Sequence, residues 1–87
     1  MKTKQGDTPL NLSQLRVGEK ARIMTLELPQ GIKLKLLSYG LAPGDSIQVI
    51  ARSPLKGPIS IQTFQDERIA LRFAQARSIS VARDMAQ

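Results

Sequence analysis

The 87 residues offer little to acid–base or nucleophilic chemistry: seven Asp and Glu, one tyrosine, three methionines, and neither histidine nor cysteine. The commonest general base and the commonest metal ligand are therefore absent. With cysteine go disulfides, thiolate metal sites and cysteine nucleophiles. The acids stand at Asp7, Glu19, Glu27, Asp45, Asp66, Glu67 and Asp84. Only Asp66 and Glu67 are adjacent, and neighbouring strand residues point to opposite faces, so that pair shares a site only if it lies in a turn. Gly40 and Gly44 do not fit the G-x-x-x-x-G-K-[ST] spacing of a phosphate loop. No enzyme activity is expected. First-row transition metals favour imidazole or thiolate. No tightly bound cofactor is expected, and the metal site, if there is one, is a weak divalent site built from oxygen ligands whose identity the sequence leaves unknown.

The other resource is positive charge. Thirteen Lys and Arg give a net charge of +6, which points to an acidic protein partner, an anionic membrane surface or nucleic acid. The cations are scattered without a run. The only aromatics are Tyr39, Phe64 and Phe73. Phe73 falls on a core position and Phe64 at a strand end, which leaves no platform on which bases could stack. Nucleic acid is not expected. Lys33 and Lys35 fall in the first turn of the single predicted helix, where the macrodipole already adds positive charge and each cation costs a few tenths of a kcal/mol. They are either tolerated surface lysines or the rim of a surface that meets an anionic partner.

Leu55 stands on a loop stiffened by Pro54 and Pro58, and Tyr39 and Leu41 lie at the helix end. A preorganised apolar patch loses little entropy on docking. The expected partner surface is therefore Tyr39, Leu41, Pro54, Leu55 and Pro58, with Lys33, Lys35 and Lys56 as its basic rim. The alternative is that Leu41 and Leu55 cap the core.

Positioning these residues requires one small domain, since 87 residues allow no more. Residues 1–9 read as a frayed polar tail, 10–82 as the domain and 83–87 as a frayed end. Leu12 and Leu15 form one turn that packs two leucines. Lys20 to Leu28 alternates, with a phase slip near Met24 that suggests a bulge. Ile32, Leu36 and Tyr39 share a helical face, and the helix is expected to pack Ile32, Leu36 and Leu37 against Ile47, Val49, Ile61 and Leu71. Gly40 and Leu41 read as a Schellman ending. Pro43 and Gly44 occupy the central positions of a type II turn. Further strands follow at Asp45–Arg52, Ile59–Thr63, Arg68–Phe73 and around Ile79–Val81, with Gly57 in the loop before the third. Ala74–Ala76 reads as a single helical turn. No stretch approaches the roughly 20 apolar residues of a membrane span, and the polar start lacks a signal-peptide core. The expectation is a soluble cytoplasmic protein, mostly β, built as a five-stranded antiparallel barrel with one short helix after the first strand.

These residues also resemble a known family. Leu12-x-x-Leu15-x-x-Gly18 is followed by Leu36-Leu37-Ser38-Tyr39-Gly40-Leu41-Ala42-Pro43-Gly44-Asp45, then Pro54-Leu55-Lys56-Gly57-Pro58 and Ile69-Ala70-Leu71-Arg72, with Ala76, Ile79 and Val81 closing. The pattern resembles the FeoA family, small cytoplasmic proteins of bacterial ferrous iron transport. The resemblance implies an SH3-like barrel, no enzyme activity, and a role beside the FeoB permease with its cytoplasmic GTP-binding domain. It also implies transition-metal binding, of Fe2+ or another divalent ion, and a place at the inner face of the plasma membrane. A monomer or weak homo-oligomer is expected. Lys56 departs from the family's usual Pro-x-Gly-Gly-Pro loop, Tyr39 stands where leucine is common, and Phe73 where a charged residue is common. Other readings are a basic barrel that binds nucleic acid and a peptide-binding adaptor unrelated to iron.

Overall fold

The computed structural model describes residues 10–83. The alternating segments become strands β1 (Leu10–Asn11), β2 (Lys20–Leu26), β3 (Ser46–Arg52), β4 (Ile59–Thr63), β5 (Arg68–Leu71) and β6 (Ile79–Arg83). A 3-10 turn (Leu12–Gln14) follows β1, and two helices, α1 (Gln30–Ser38) and α2 (Phe73–Arg77), interrupt the rest. The strands form one sheet in the order β1-β6-β2-β3-β4-β5, and every pairing is antiparallel.

The alternation decides which face is inside. Ala21, Ile23, Ile47, Val49, Ile59, Ile61, Leu71, Ile79 and Val81 are all buried, and Leu12, Leu15, Leu36, Leu41 and Ala76 join them from outside the sheet. Each large member contributes roughly 1.5–3 kcal/mol by leaving water. The register slips between Ile23 and Thr25 in β2, and again between Val49 and Ala51 in β3. The bulged residues are Met24 and Ile50, the first where the sequence phase slips. Bulges bend strands, and here they coil a short sheet around a single core.

The expected closed barrel of five strands is not what forms. Among the described residues the sheet has six strands and stays open between β1 and β5, and there are two helices rather than one. Leu10–Asn11 pairs with Val81 and Ser80 and so occupies the free side of β6. β5 stops at Leu71 instead of running to Phe73. The Gln75 side chain accepts the Arg72 amide at 3.0 Å, and the Ala76 amide donates to the Arg72 carbonyl at 3.0 Å. Those bonds turn the chain into α2, which extends the expected turn at 74–76 to Phe73–Arg77 and leaves Phe73 half-buried. α2 packs on the 3-10 turn after β1. The open side is thus bridged by helical turns, not strand pairing. At the other end β6 includes Arg83, while the expected tail 1–9 and residues 84–87 lie outside the described residues.

Helix α1 begins two residues earlier than expected. Pro29 holds extended backbone angles (φ −54, ψ 149), and the Lys33 amide already donates to its carbonyl at 2.9 Å. Lys33 is therefore past the first free amides, and Lys35 lies in the last turn, where a cation is favoured by the helix dipole. The electrostatic cost expected of these two lysines does not arise for Lys35. Only Leu36 of α1 is buried, Ile32 and Leu37 pack partly against the core, and Leu34 is exposed.

Candidate functional site

The β3–β4 loop is held from both sides. Arg52 Nη1 donates to the Ser13 carbonyl at 2.7 Å, tying the end of β3 to the 3-10 turn. The Ser53 amide donates to the Pro58 carbonyl at 3.0 Å, and the Gly57 amide to the Pro54 carbonyl at 3.1 Å. The two residues between, Leu55 and Lys56, both adopt left-handed backbone, with φ of 57° and 61°. That is the pattern of a type I′ turn, which normally takes Asn-Gly or Gly-Gly. A side chain in this region costs roughly 1–2 kcal/mol. Gly57 is required for a different reason: a Cβ there would lie 2.6 Å from Ser53 Cβ and 3.1 Å from the Pro54 carbonyl oxygen. The product is a rigid tip carrying Leu55, which is 96% exposed. Pro54, Lys56 and Pro58 are exposed around it.

The helix end is built differently. The Leu41 amide donates to the Leu36 carbonyl at 3.0 Å and the Gly40 amide to the Leu37 carbonyl at 3.1 Å, which is a Schellman motif. Gly40 supplies the left-handed residue, with φ +93. Leu41 is fully buried, so it is a core residue and not the surface contact expected of it. Pro43 and Gly44 (φ +94) form the next turn, closed by the Asp45 amide on the Ala42 carbonyl at 2.9 Å, while Asp45 Oδ2 accepts the Ala42 amide at 3.0 Å.

The two expected halves of the partner surface are not brought together. A Cβ on Gly40 would sit 3.3 Å from Gln65 Oε1 and 3.9 Å from Phe64 Cε1. The helix end thus lies against the β4–β5 turn, whereas Leu55 lies on the β3–β4 loop. These turns are at opposite ends of β4, whose five residues span about 17 Å. Tyr39 and Lys35 instead share a groove of about 410 Å3 with Arg68, Ile69, Ala70 and Leu71 of β5. No sequence signal marked β5 for this, because edge position follows from strand order, which one sequence does not display. Phe64, also 60% exposed, lies beyond the expected surface.

No three acidic residues converge among those described. Glu19 is engaged: its Oε1 accepts the Arg16 amide at 2.6 Å and its Oε2 the Arg83 guanidinium at 2.9 Å. The backbone bond first, and Arg83 second, hold its carboxyl below the usual range. Asp66 Oδ1 accepts from the Gln62 side-chain Nε2 at 2.9 Å.

Residues 10–83 match the FeoA domain family model. The chain belongs to the FeoA family. That family is associated with ferrous iron transport. The chain is similar to the FeoA protein of Chlorobium tepidum at 25% identity and a TM-score of 0.81, over 88% of this chain and 71% of that one. It is also similar to an iron uptake regulatory protein (FeoA), at 30% identity and a TM-score of 0.75, over 88% of this chain and 99% of that one. A zinc complex of Stenotrophomonas maltophilia FeoA, described as a prokaryotic SH3 domain protein, matches at 25% identity and a TM-score of 0.68, over 83% of this chain and 88% of that one. The open six-stranded sheet is accordingly an SH3-like fold. No curated protein matches. Among the described residues, no helix is long and apolar enough to cross a membrane.

Proposed function

We propose that this FeoA-family chain is a non-catalytic accessory protein of ferrous iron uptake that docks on the cytoplasmic GTP-binding domain of a FeoB-type permease. In this role it works in the cytoplasm, at the inner face of the membrane that holds the permease. The contact is the Leu55 tip, and one observation carries the assignment: an almost fully exposed leucine is held out on left-handed backbone at both turn positions. Strain of that kind persists only when surrounding structure enforces it, and it concentrates at functional sites. The hydrogen bonds of Ser53 and Gly57 and the anchoring of Arg52 enforce it here. The tip therefore has little conformational freedom left to lose on docking, and Lys56 beside it favours an acidic surface.

Metal enters this role as cargo of the permease. Any ion on the chain itself binds weakly through oxygen ligands, since Glu19 and Asp66 already accept hydrogen bonds from their neighbours.

The test is Leu55→Asp in a pull-down against the permease's cytoplasmic domain, with and without guanine nucleotide. The variant should keep the wild-type melting temperature, because the side chain touches almost nothing, and should lose capture and iron-dependent growth. Normal capture by a folded variant would remove the loop as the interface.

A further inference from the structure

We propose that the outer edge of β5 takes an extended segment of a partner protein as an added strand, with acidic and apolar residues alternating along that segment. Among the described residues, β5 is the last strand of the sheet and pairs only with β4. The Thr63 amide donates to the Glu67 carbonyl at 2.9 Å, and the register continues as Ile61 opposite Ile69 and Ile59 opposite Leu71. In an antiparallel ladder, hydrogen-bonded pairs alternate with non-bonded ones. Ile69 and Leu71 therefore bond to β4, while the amides and carbonyls of Arg68 and Ala70 point away from it. Two donors and two acceptors face outward, with no strand of the described residues beside them.

Edges are usually protected by brevity, charge or a covering element. β5 is short, at four residues, and Arg68 is charged. But α1 stands beside the edge without closing on it. The space between them is the groove of about 410 Å3, walled by Ile32, Lys35, Leu36 and Tyr39 on the helix side. Ile69 faces inward yet is only half-buried, because no described strand pairs beyond it.

The register fixes the chemistry of the occupant. Side chains of an added strand alternate between the two faces. Those on the inner face would meet Ile69 and Ile32, which are apolar and half-buried, above the buried Leu36 and Leu71. Those on the outer face would lie beside Arg68 and Ala70. The charged groups lining the groove are Lys35 and Arg68, both cationic, and among the described residues neither forms an ion pair. A basic segment is disfavoured by like charge. A second copy paired through its own β5 is disfavoured too, since it would bring Lys35 and Arg68 of both chains together. Peptide capture at this edge does not depend on the Leu55 tip or on the identity of the permease.

The probe is a blocked six-residue peptide alternating glutamate and valine, titrated into the full chain and followed by amide chemical shifts. Its control alternates lysine and valine. The glutamate peptide should shift the Arg68 and Ala70 amides first, and the lysine peptide should not. Arg68→Glu should weaken binding about tenfold, the worth of one charge-assisted contact of roughly 1.4 kcal/mol. Ala70→Pro removes an amide that no ladder bond uses, a substitution that edge strands tolerate, and should abolish binding. Should that variant fail to fold, Arg68→Glu carries the test alone. Equal binding of both peptides, shifts confined to residues away from β5, or no shifts at all would overturn the proposal. So would concentration-dependent shifts of Ala70 without peptide, which would identify a second copy as the occupant.

Discussion

Two leucines in this chain follow or occupy left-handed turns, and the fold uses them in opposite ways. Leu41 comes directly after Gly40, and its burial fastens the end of α1 to the core through the Schellman bonds. Leu55 sits in the left-handed region itself and projects almost wholly into solvent. At the helix end, glycine takes the difficult backbone and leucine takes the burial, so conformation and packing agree. At the loop tip, leucine and lysine take the difficult backbone, and the leucine gains no burial in return. Local preference and packing agree at the helix end and disagree at the loop tip, which is why the proposed contact is placed at the tip.

The largest effect should be the difference between truncating one leucine and truncating the other. Leu41→Ala removes a fully buried side chain and should cost about 3.5 kcal/mol, the middle of the range for such sites. Leu55→Ala should move the chemical denaturation midpoint by no more than surface changes do, within about 0.5 kcal/mol. A comparable loss for both variants would mean that the Leu55 tip is packed in solution, and the contrast between the two turns would fail.

Next in size is Gly40→Ala. A Cβ in the left-handed region is penalised by about 1 kcal/mol. The added methyl would also press on Gln65 Oε1 at 3.3 Å, but that is the far end of a flexible side chain and can move. The loss should therefore come from the backbone, and denaturation should read it as a lower midpoint with an unchanged slope. An unchanged midpoint would show that the helix ends without its left-handed residue.

Much of this was legible because it is local. The Gly40-Leu41 ending, the Pro43-Gly44 turn, the slip at Met24 and the alternation of β3 and β4 each depend on residues a few positions apart. What was not legible depends on the order of strands. Whether β5 closes on β1 is decided by Arg72 and Gln75 turning the chain into α2 and by Leu10–Asn11 pairing with β6. Both are matters of a few hydrogen bonds. The distance between Tyr39 and Leu55 follows from which end of β4 each turn occupies, and a sequence places both only as loops. Leu41 was ambiguous for another reason: a leucine after a helix-ending glycine serves equally well as a contact on the surface or inside.

The smallest effect is the most discriminating. Lys56→Gly replaces a side chain at φ 61 by the residue that prefers such angles. Relief of strain favours the variant by roughly 1–2 kcal/mol. The greater freedom of glycine in the unfolded chain opposes it by roughly 0.5–1 kcal/mol. The net should be a gain of about 0.5 kcal/mol, read as a small rise in the denaturation midpoint. The hydrogen bonds at Ser53 and Gly57 do not involve the Lys56 side chain, so the tip keeps its shape and Leu55 its exposure. Capture of the permease domain should then fall only by the share that the lysine's charge contributes, and that difference should vanish at high salt. A stabilised variant that loses capture at every salt concentration would mean that the strained conformation, and not the leucine it presents, is what the partner recognises.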